Sequence, residues 1–219
     1  MVATMVTLYG NSTWTSPYVL SCFVTLREKG VPFDLHDVAL DRRAQHEPEF
    51  ARASLTSRVP MLVDGDFSLS ESSAIVEYLE DKYPSPRVLP ERLADRARAR
   101  QIMAWVRSDL MPIREERSAE YVFYPHADLA SLAPLSPAGE RAVAKLFTLA
   151  DQLVPDGSGP LFGAWCIADT DLAMMLQRLV KTGHEVPAKL RSYADSQWER
   201  PAVREFVQHA RPPFAAAVP

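Results

Sequence analysis

The strongest constraint on this chain lies between Arg58 and Tyr83, RVPMLVDGDFSLSESSAIVEYLEDKY. Two short apolar runs, Met61 to Val63 and Phe67 to Leu69, flank Asp64-Gly65-Asp66, which has the turn chemistry of a hairpin. A Ser-Glu-Ser-Ser turn follows, and the apolar spacing becomes helical, with Ile75, Tyr78 and Leu79 on one face. The ends of this unit are chemically specific. Pro60 pushes Val59 towards extended backbone, and an X-Pro bond in a tight turn is a candidate for the cis form. The Val59 amide and carbonyl can then face outward and pair with an extended ligand as an added strand. Glu71 and Ser72 stand where strand gives way to a helix whose free N–H groups favour a carboxylate. One ligand with a peptide middle and a free α-amino acid end satisfies both places.

The preceding residues complete an α/β layer. Val6 to Tyr9 has the pattern of a buried strand ending at Gly10, with Tyr9 as core, and Pro17 to Glu28 that of a helix stopped by Gly30. Phe33 to Val38 is a second strand, and residues near His46 to Ala53 allow a short helix. The order βαβαββα describes a mixed sheet with helices, as in thioredoxin-like domains. Pro84, Pro86 and Pro90 then mark a linker that cannot continue the helix. This predicts an α/β domain over residues 1–85, a linker over 84–90 and an all-helical domain over 91–219. In the latter, Ile102, Trp105, Val106, Leu110 and Ile113 trace one helical stripe, bent at Pro112. Tyr121 to Pro137 is expected to be an ordered connection or lid. Further helices carry Ala142 to Leu153, begin near Asp169, and follow Pro201.

At 219 residues with a formal net charge of −4, the chain offers no electrostatic case for nucleic acid. Cys22 and Cys166 are far apart, without a CxxC or metal-ligand spacing; this predicts no metal and no disulfide framework, and favours the cytoplasm. The first ten residues lack a basic flank and a long apolar region, and no run reaches the length of a spanning helix, so no membrane partner is expected.

A thioredoxin-like layer, a proline-marked linker and a helical second domain, with Val59-Pro60 and Glu71-Ser72 at this spacing, resemble the cytosolic glutathione transferases. The resemblance covers essentially the whole chain. SPYVLS, RVPML, LSESSAIVEYLED, ARARQI, DLMPIREER and GAWCIADTDLA look most like the bacterial YfcF-type members. It implies that Val59, ahead of Pro60, pairs with the cysteinyl backbone of glutathione, while Glu71 and Ser72 hold its γ-glutamyl ammonium and carboxylate. An acceptor carboxylate suits the ammonium, and a hydroxyl beside free helix amides suits the carboxylate. Without the family, Ser70 or Ser72 is an N-cap and Glu71 a favourable first-turn acid. Arg58, or Arg42, Arg43 or His46 upstream, is available to the glycyl carboxylate, and each is also an ordinary surface residue.

Ser16 before Pro17 is, on sequence alone, an N-cap followed by an N1 proline. The resemblance carries over to it the hydroxyl that donates to the glutathione sulfur in serine-type members, with Ser12, Thr13 and Thr15 as competitors. A hydrogen bond to a charged group contributes ~1.5–3 kcal/mol and a helix start about 0.3–1 kcal/mol. Together these hold a hydrated thiol largely as thiolate near neutral pH. Cys22 lies well inside the helix as a small core residue, which opposes mixed-disulfide chemistry. Cys166 to Asp169 form a capping box in which Asp169 is structural. Trp105, Met111, Arg114 and Tyr121, with Arg107, Phe123 and Trp165, are candidates for an electrophile pocket, and each is equally a core or surface residue. The implied activity is conjugation of glutathione to a hydrophobic electrophile or reduction of a hydroperoxide, in detoxification or oxidative stress, by a homodimer. The alternatives are a non-catalytic binding module of the same fold and a thiol–disulfide oxidoreductase.

Overall fold

In the computed structural model, which describes residues 5–124, 129–157 and 159–214, the strands form one mixed sheet ordered β2-β1-β3-β4. β1 (Val6–Asn11) pairs parallel with β2 (Phe33–Val38) and antiparallel with β3 (Met61–Asp64). β3 forms a hairpin with β4 (Phe67–Ser70), turning at Gly65, whose φ is +63°. α1 (Pro17–Glu28) and α3 (Ser72–Lys82) pack on each other and on the sheet, and the short α2 (Pro48–Ala53) follows two 3-10 turns. The order is the expected βαβαββα.

Two expectations for β1 are corrected. The strand does not stop at Gly10 but continues to Asn11. Gly10 is there because a Cβ would meet Val19 at 3.0 Å and Trp14 at 3.2 Å, so helix and loop approach the strand only over a bare backbone. Val6 and Leu8 share that buried face, and Tyr9 takes the other. Tyr9 is half-buried rather than core, its ring 5.1 Å from His36 and 6.0 Å from Phe50 of α2.

Lys29, at the end of α1, has a fully buried side chain. Its ammonium donates to Glu80 Oε2 at 2.6 Å, Tyr83 O at 2.7 Å and Pro86 O at 2.9 Å. The same carboxylate oxygen accepts from Val88 N at 3.0 Å. One charge pair therefore joins α1, α3 and the proline-marked segment, which also carries a cis bond before Pro86.

The chain divides into two compact units. One holds the described residues through Val88 together with Ala202–Arg211, and the other holds Leu89–Pro201 with the described residues from Pro212. Nearly all of the last helix, α10 (Pro201–Val207), belongs to the first compact unit. Its Phe206 meets Phe23 at 5.3 Å and Trp14 at 5.8 Å, and Glu205 pairs with Arg27 at 2.7 Å.

The second unit is helical: α4 (Leu93–Ser108), α5 (Met111–Glu116), α6 (Glu120–Phe123), α7 (Pro137–Leu153), α8 (Ile167–Lys181) and α9 (Ala188–Trp198). The continuous stripe through Pro112 is corrected. α4 ends at Ser108, and Pro112 lies in the first turn of α5, where its missing N–H costs no helical bond. The expected connection from Tyr121 to Pro137 includes residues 125–128, which lie outside the described residues. α8 packs on α9 and α4. At its start the box from Cys166 to Asp169 is present, with Asp169 accepting from Cys166 N at 2.9 Å, Leu161 N at 2.8 Å and Tyr193 Oη at 2.9 Å. Burial raises the Asp169 pKa, against the lowering effect of these donors. Burial also pushes the Cys166 thiol up, so it remains a neutral thiol. Among the described residues no helix is long and apolar enough to cross a membrane.

Replacing Lys29 by Met strands the buried Glu80 carboxylate, and chemical denaturation should show a loss of about 3–5 kcal/mol. Removing the acceptor with Asp169→Ala leaves three donors without it, and the same measurement should show a loss of about 2–4 kcal/mol. An unchanged midpoint in that variant would remove Asp169 from its structural role.

Candidate functional site

Four loops of the first unit carry the residues singled out by the sequence: 11–16, 39–47, 54–60 and 70–72. Each contains a non-glycine residue with positive φ: Trp14 (+50°), Arg43 (+60°), Ser57 (+50°) and Glu71 (+75°). Such conformations cost of order 1–3 kcal/mol each and persist where the surroundings impose them, commonly at functional sites. Sequence reasoning missed them, because no glycine marks these turns.

In the first loop Asn11, only 7% exposed, is the organiser. Its amide nitrogen donates to Thr13 Oγ1 at 2.6 Å and Thr15 Oγ1 at 3.1 Å, and its carbonyl oxygen accepts from Ser16 N at 3.2 Å. The two threonine hydroxyls also bond each other at 3.0 Å. Ser16 caps α1 only through a long contact, Val19 N to Ser16 Oγ at 3.4 Å, and its own proton bonds no described residue. Ser12 is held by its amide to Val38 O at 3.1 Å, which leaves its hydroxyl open as well. Of the two open hydroxyls, Ser16 alone stands at the helix start. Asn11 was not singled out by sequence; its offset of two, four and five residues from these partners is the signal that was there.

The Val59-Pro60 bond is cis. Neither the amide nor the carbonyl of Val59 bonds another described residue. Ser54, 1% exposed, fixes the turn before it, accepting from Arg58 N at 3.3 Å and donating to Arg58 O at 3.3 Å. At the start of α3 the first helical bond comes from Ile75 N, so the amides of Ser72, Ser73 and Ala74 have no helical acceptor. Neither Ser70 nor Ser72 caps this helix. The N-cap position is Glu71, whose exposed carboxylate makes no capping bond. Ser72 is 5% exposed, and its hydroxyl bonds no described residue. Beneath it Cys22, fully buried, points its sulfur at Ser72 O at 3.9 Å. This set fits a ligand with a carboxylate for Ser72 and the helix amides, an ammonium for Glu71 and a peptide for Val59. Arg42, Arg43, His46 and Arg58 are all exposed.

The candidate electrophile residues lie in the second unit. Trp105 lines a groove of about 360 Å³ with Ile102, Leu149 and Leu153, flanked by Arg98 and Lys145. Met111, Arg114 and Tyr121 are not among the residues lining it: Arg114 bonds the Met111 sulfur at 2.8 Å, and Tyr121 meets Phe214 at 6.2 Å. Arg107 is paired with Asp171 at 2.7 Å, Phe123 is buried near Trp198, and Trp165 lies under Arg200 at 4.1 Å. Among the described residues no group of three or more His, Cys, Asp or Glu is placed to hold a metal.

Residues 12–87 match the family model "Glutathione S-transferase, N-terminal domain", and residues 92–211 match "Glutathione S-transferase, C-terminal domain". The chain is 34% identical over 117 residues to a probable maleylacetoacetate isomerase of Vibrio cholerae, a match covering 52% of this chain and 54% of that protein. It is 29% identical over 148 residues to glutathione S-transferase Z1 of Arabidopsis thaliana, covering 68% and 65%. The chain thus spans between about half and two thirds of these curated relatives. A solved glutathione transferase homologue from Burkholderia GL BGR1, with bound glutathione, aligns with a TM-score of 0.74 and 41% identity over 93% of this chain and 96% of that one. A solved zeta-class maleyl pyruvate isomerase aligns at 0.73 with 26% identity, over 95% and 100%. With one domain model matched across residues 92–211 and a second across 12–87, the chain belongs to the glutathione S-transferase family.

Proposed function

We propose that this protein is a glutathione-dependent transferase that holds glutathione in its first unit and uses Ser16 to keep the sulfur as thiolate. The observation that carries this reading is the set of uncommitted groups at the ends of the Val59–Ser72 segment. Among the described residues, an unbonded peptide, an unbonded hydroxyl with three unbonded helix amides, and an unbonded carboxylate match the backbone and the amino-acid head of glutathione. Ser16 adds an O–H with no acceptor among the described residues, at the positive end of α1. His46 and Arg58 are the exposed residues we assign to the glycyl carboxylate.

The thiolate attacks the electrophilic carbon of a hydrophobic substrate, forming the C–S bond as the leaving group departs. Attack on a hydroperoxide oxygen is the same nucleophile's second use. A third reading is favoured by the names of two relatives, the Vibrio maleylacetoacetate isomerase and a maleylpyruvate isomerase of Ralstonia. Addition of the thiolate to a conjugated cis double bond, rotation about the resulting single bond and expulsion of the thiolate would isomerise the substrate and return glutathione intact. The placement nearest the YfcF-type bacterial members, the homodimer and a reducing cytoplasmic setting are parts of the same proposal. Cys22 and Cys166 are both buried, and neither forms a disulfide among the described residues, which suits that setting.

Ser16→Ala should raise the pKa of the bound glutathione thiol and lower kcat/KM towards an aromatic halide at neutral pH by roughly 10- to 100-fold. Ser16→Thr should retain part of the rate, and an unchanged thiol pKa in Ser16→Ala would exclude this hydroxyl as the activating group. The three reactions separate by glutathione accounting: conjugation consumes one per turnover, hydroperoxide reduction two, and isomerisation none. An absence of all three with halide, hydroperoxide and cis-dienoate substrates, despite glutathione binding, would favour the binding-module alternative.

A further inference from the structure

The loop that carries Ser16 is held from the far end of the chain. Trp14, two residues before Ser16, is 2% exposed with φ +50°. Its amide donates to Asn11 O at 2.8 Å and its indole N–H to Asp37 Oδ1 at 2.8 Å. Its ring lies 4.6 Å from His209 and 5.8 Å from Phe206. Its carbonyl accepts from Arg211 twice, from Nε at 3.3 Å and from Nη2 at 3.0 Å. The same guanidinium donates to Phe206 O at 2.7 Å, Val207 O at 2.6 Å and His209 O at 2.8 Å. These are carbonyls at and just beyond the end of α10, where helical partners run out. α10 is itself fixed by the Arg27–Glu205 pair.

We propose that Arg211 is a positioning residue: by bracing the Trp14 carbonyl against the end of α10, it sets the direction of the Ser16 hydroxyl. Five donors in a rigid fork let one side chain satisfy the helix end and the strained loop together. An ammonium has no fork, so Arg211→Lys keeps the charge but not the double contact on Trp14. Arg211 touches no reacting atom; it acts through Trp14, whose amide bonds Asn11 O, and through the Asn11 side chain, whose Oδ1 holds Ser16 N. The proposal rests on Ser16 being the thiol-activating group.

The test is a double-mutant cycle between Arg211 and Ser16, read by the pH dependence of kcat/KM and by the ultraviolet absorbance of the bound thiolate. Arg211→Ala should move the apparent thiol pKa up by about one pH unit, a roughly tenfold loss of rate well below that pKa. The KM for glutathione should change little. Ser16→Ala added to Arg211→Ala should cost much less than it costs alone. Arg211→Lys should fall between wild type and Arg211→Ala in thiol pKa, and it decides the matter if the alanine variant does not fold. A wild-type thiol pKa in both variants, with Ser16→Ala keeping its full effect in each, would overturn the positioning role while leaving Ser16 in place. If Ser16→Ala alone leaves the thiol pKa unchanged, the underlying reading fails, and the role of Arg211 with it.

Discussion

The two long helices of the first unit are tied together by one buried ammonium. Lys29 has three protons and three acceptors, Glu80 and the carbonyls of Tyr83 and Pro86, so no donor is wasted. Glu80 in turn uses the same oxygen for Val88 N. Removing two charges from water costs several kcal/mol per ion, and only a fully satisfied arrangement offsets that cost. The gain is geometric. The C-terminal ends of α1 and α3 and the segment that follows α3 converge on one point, so the opposite ends of the two helices are also placed relative to each other. Those ends are Ser16 and Ser72.

With the helices placed, the chemistry depends on which polar groups the loops leave unused. Asn11 consumes the hydroxyls of Thr13 and Thr15 and the amide of Ser16, a closed network that leaves the Ser16 proton outside it. Ser54 does the same for Arg58 and leaves Val59 outside. Glu71 carries the strain of φ +75° at a position where a capping serine would have been easy. The N-terminal amides of α3 stay uncapped as a consequence. Three separate loops thus bind their own neighbours and leave particular groups without a partner among the described residues, and such a group is what a ligand can use.

How much of this was legible follows from how local each cause is. The element order, the hairpin at Gly65, the helix from Pro17 to Glu28 and the Asp169 box come from neighbours in sequence, and all are present. The cis bond at Val59-Pro60 and the helix start at Glu71-Ser72 were legible for the same reason, since turns have residue signatures. What failed was nonlocal. Tyr9 looked like core because its strand is, but its ring lies on the other face, half-buried against His36 and Phe50 of the short α2. Pro112 looked like a kink because the apolar spacing ran through it, whereas a second helix can restart in phase. The return of α10 to the first unit leaves no periodic trace, because an amphipathic helix does not state which core it joins. Arg211 and Asn11 look like ordinary polar residues until their partners are known.

The second unit shows the other side of this rule. Its candidate residues are committed in different directions: Arg107 to Asp171, Arg114 to Met111, Phe123 to Trp198, and Trp105 to a groove between α4 and α7. A small apolar substrate is recognised by shape, and shape is assembled from side chains on different helices with no fixed spacing. Glutathione, by contrast, presents a peptide and two charged ends that must be matched by particular donors and acceptors. Conjugation, hydroperoxide reduction and isomerisation all begin from one thiolate and differ only in which bond it meets. On the proposed reading, the first unit sets the nucleophile whatever the substrate. Choice among the reactions falls to the part of the chain where sequence pattern carries the least information.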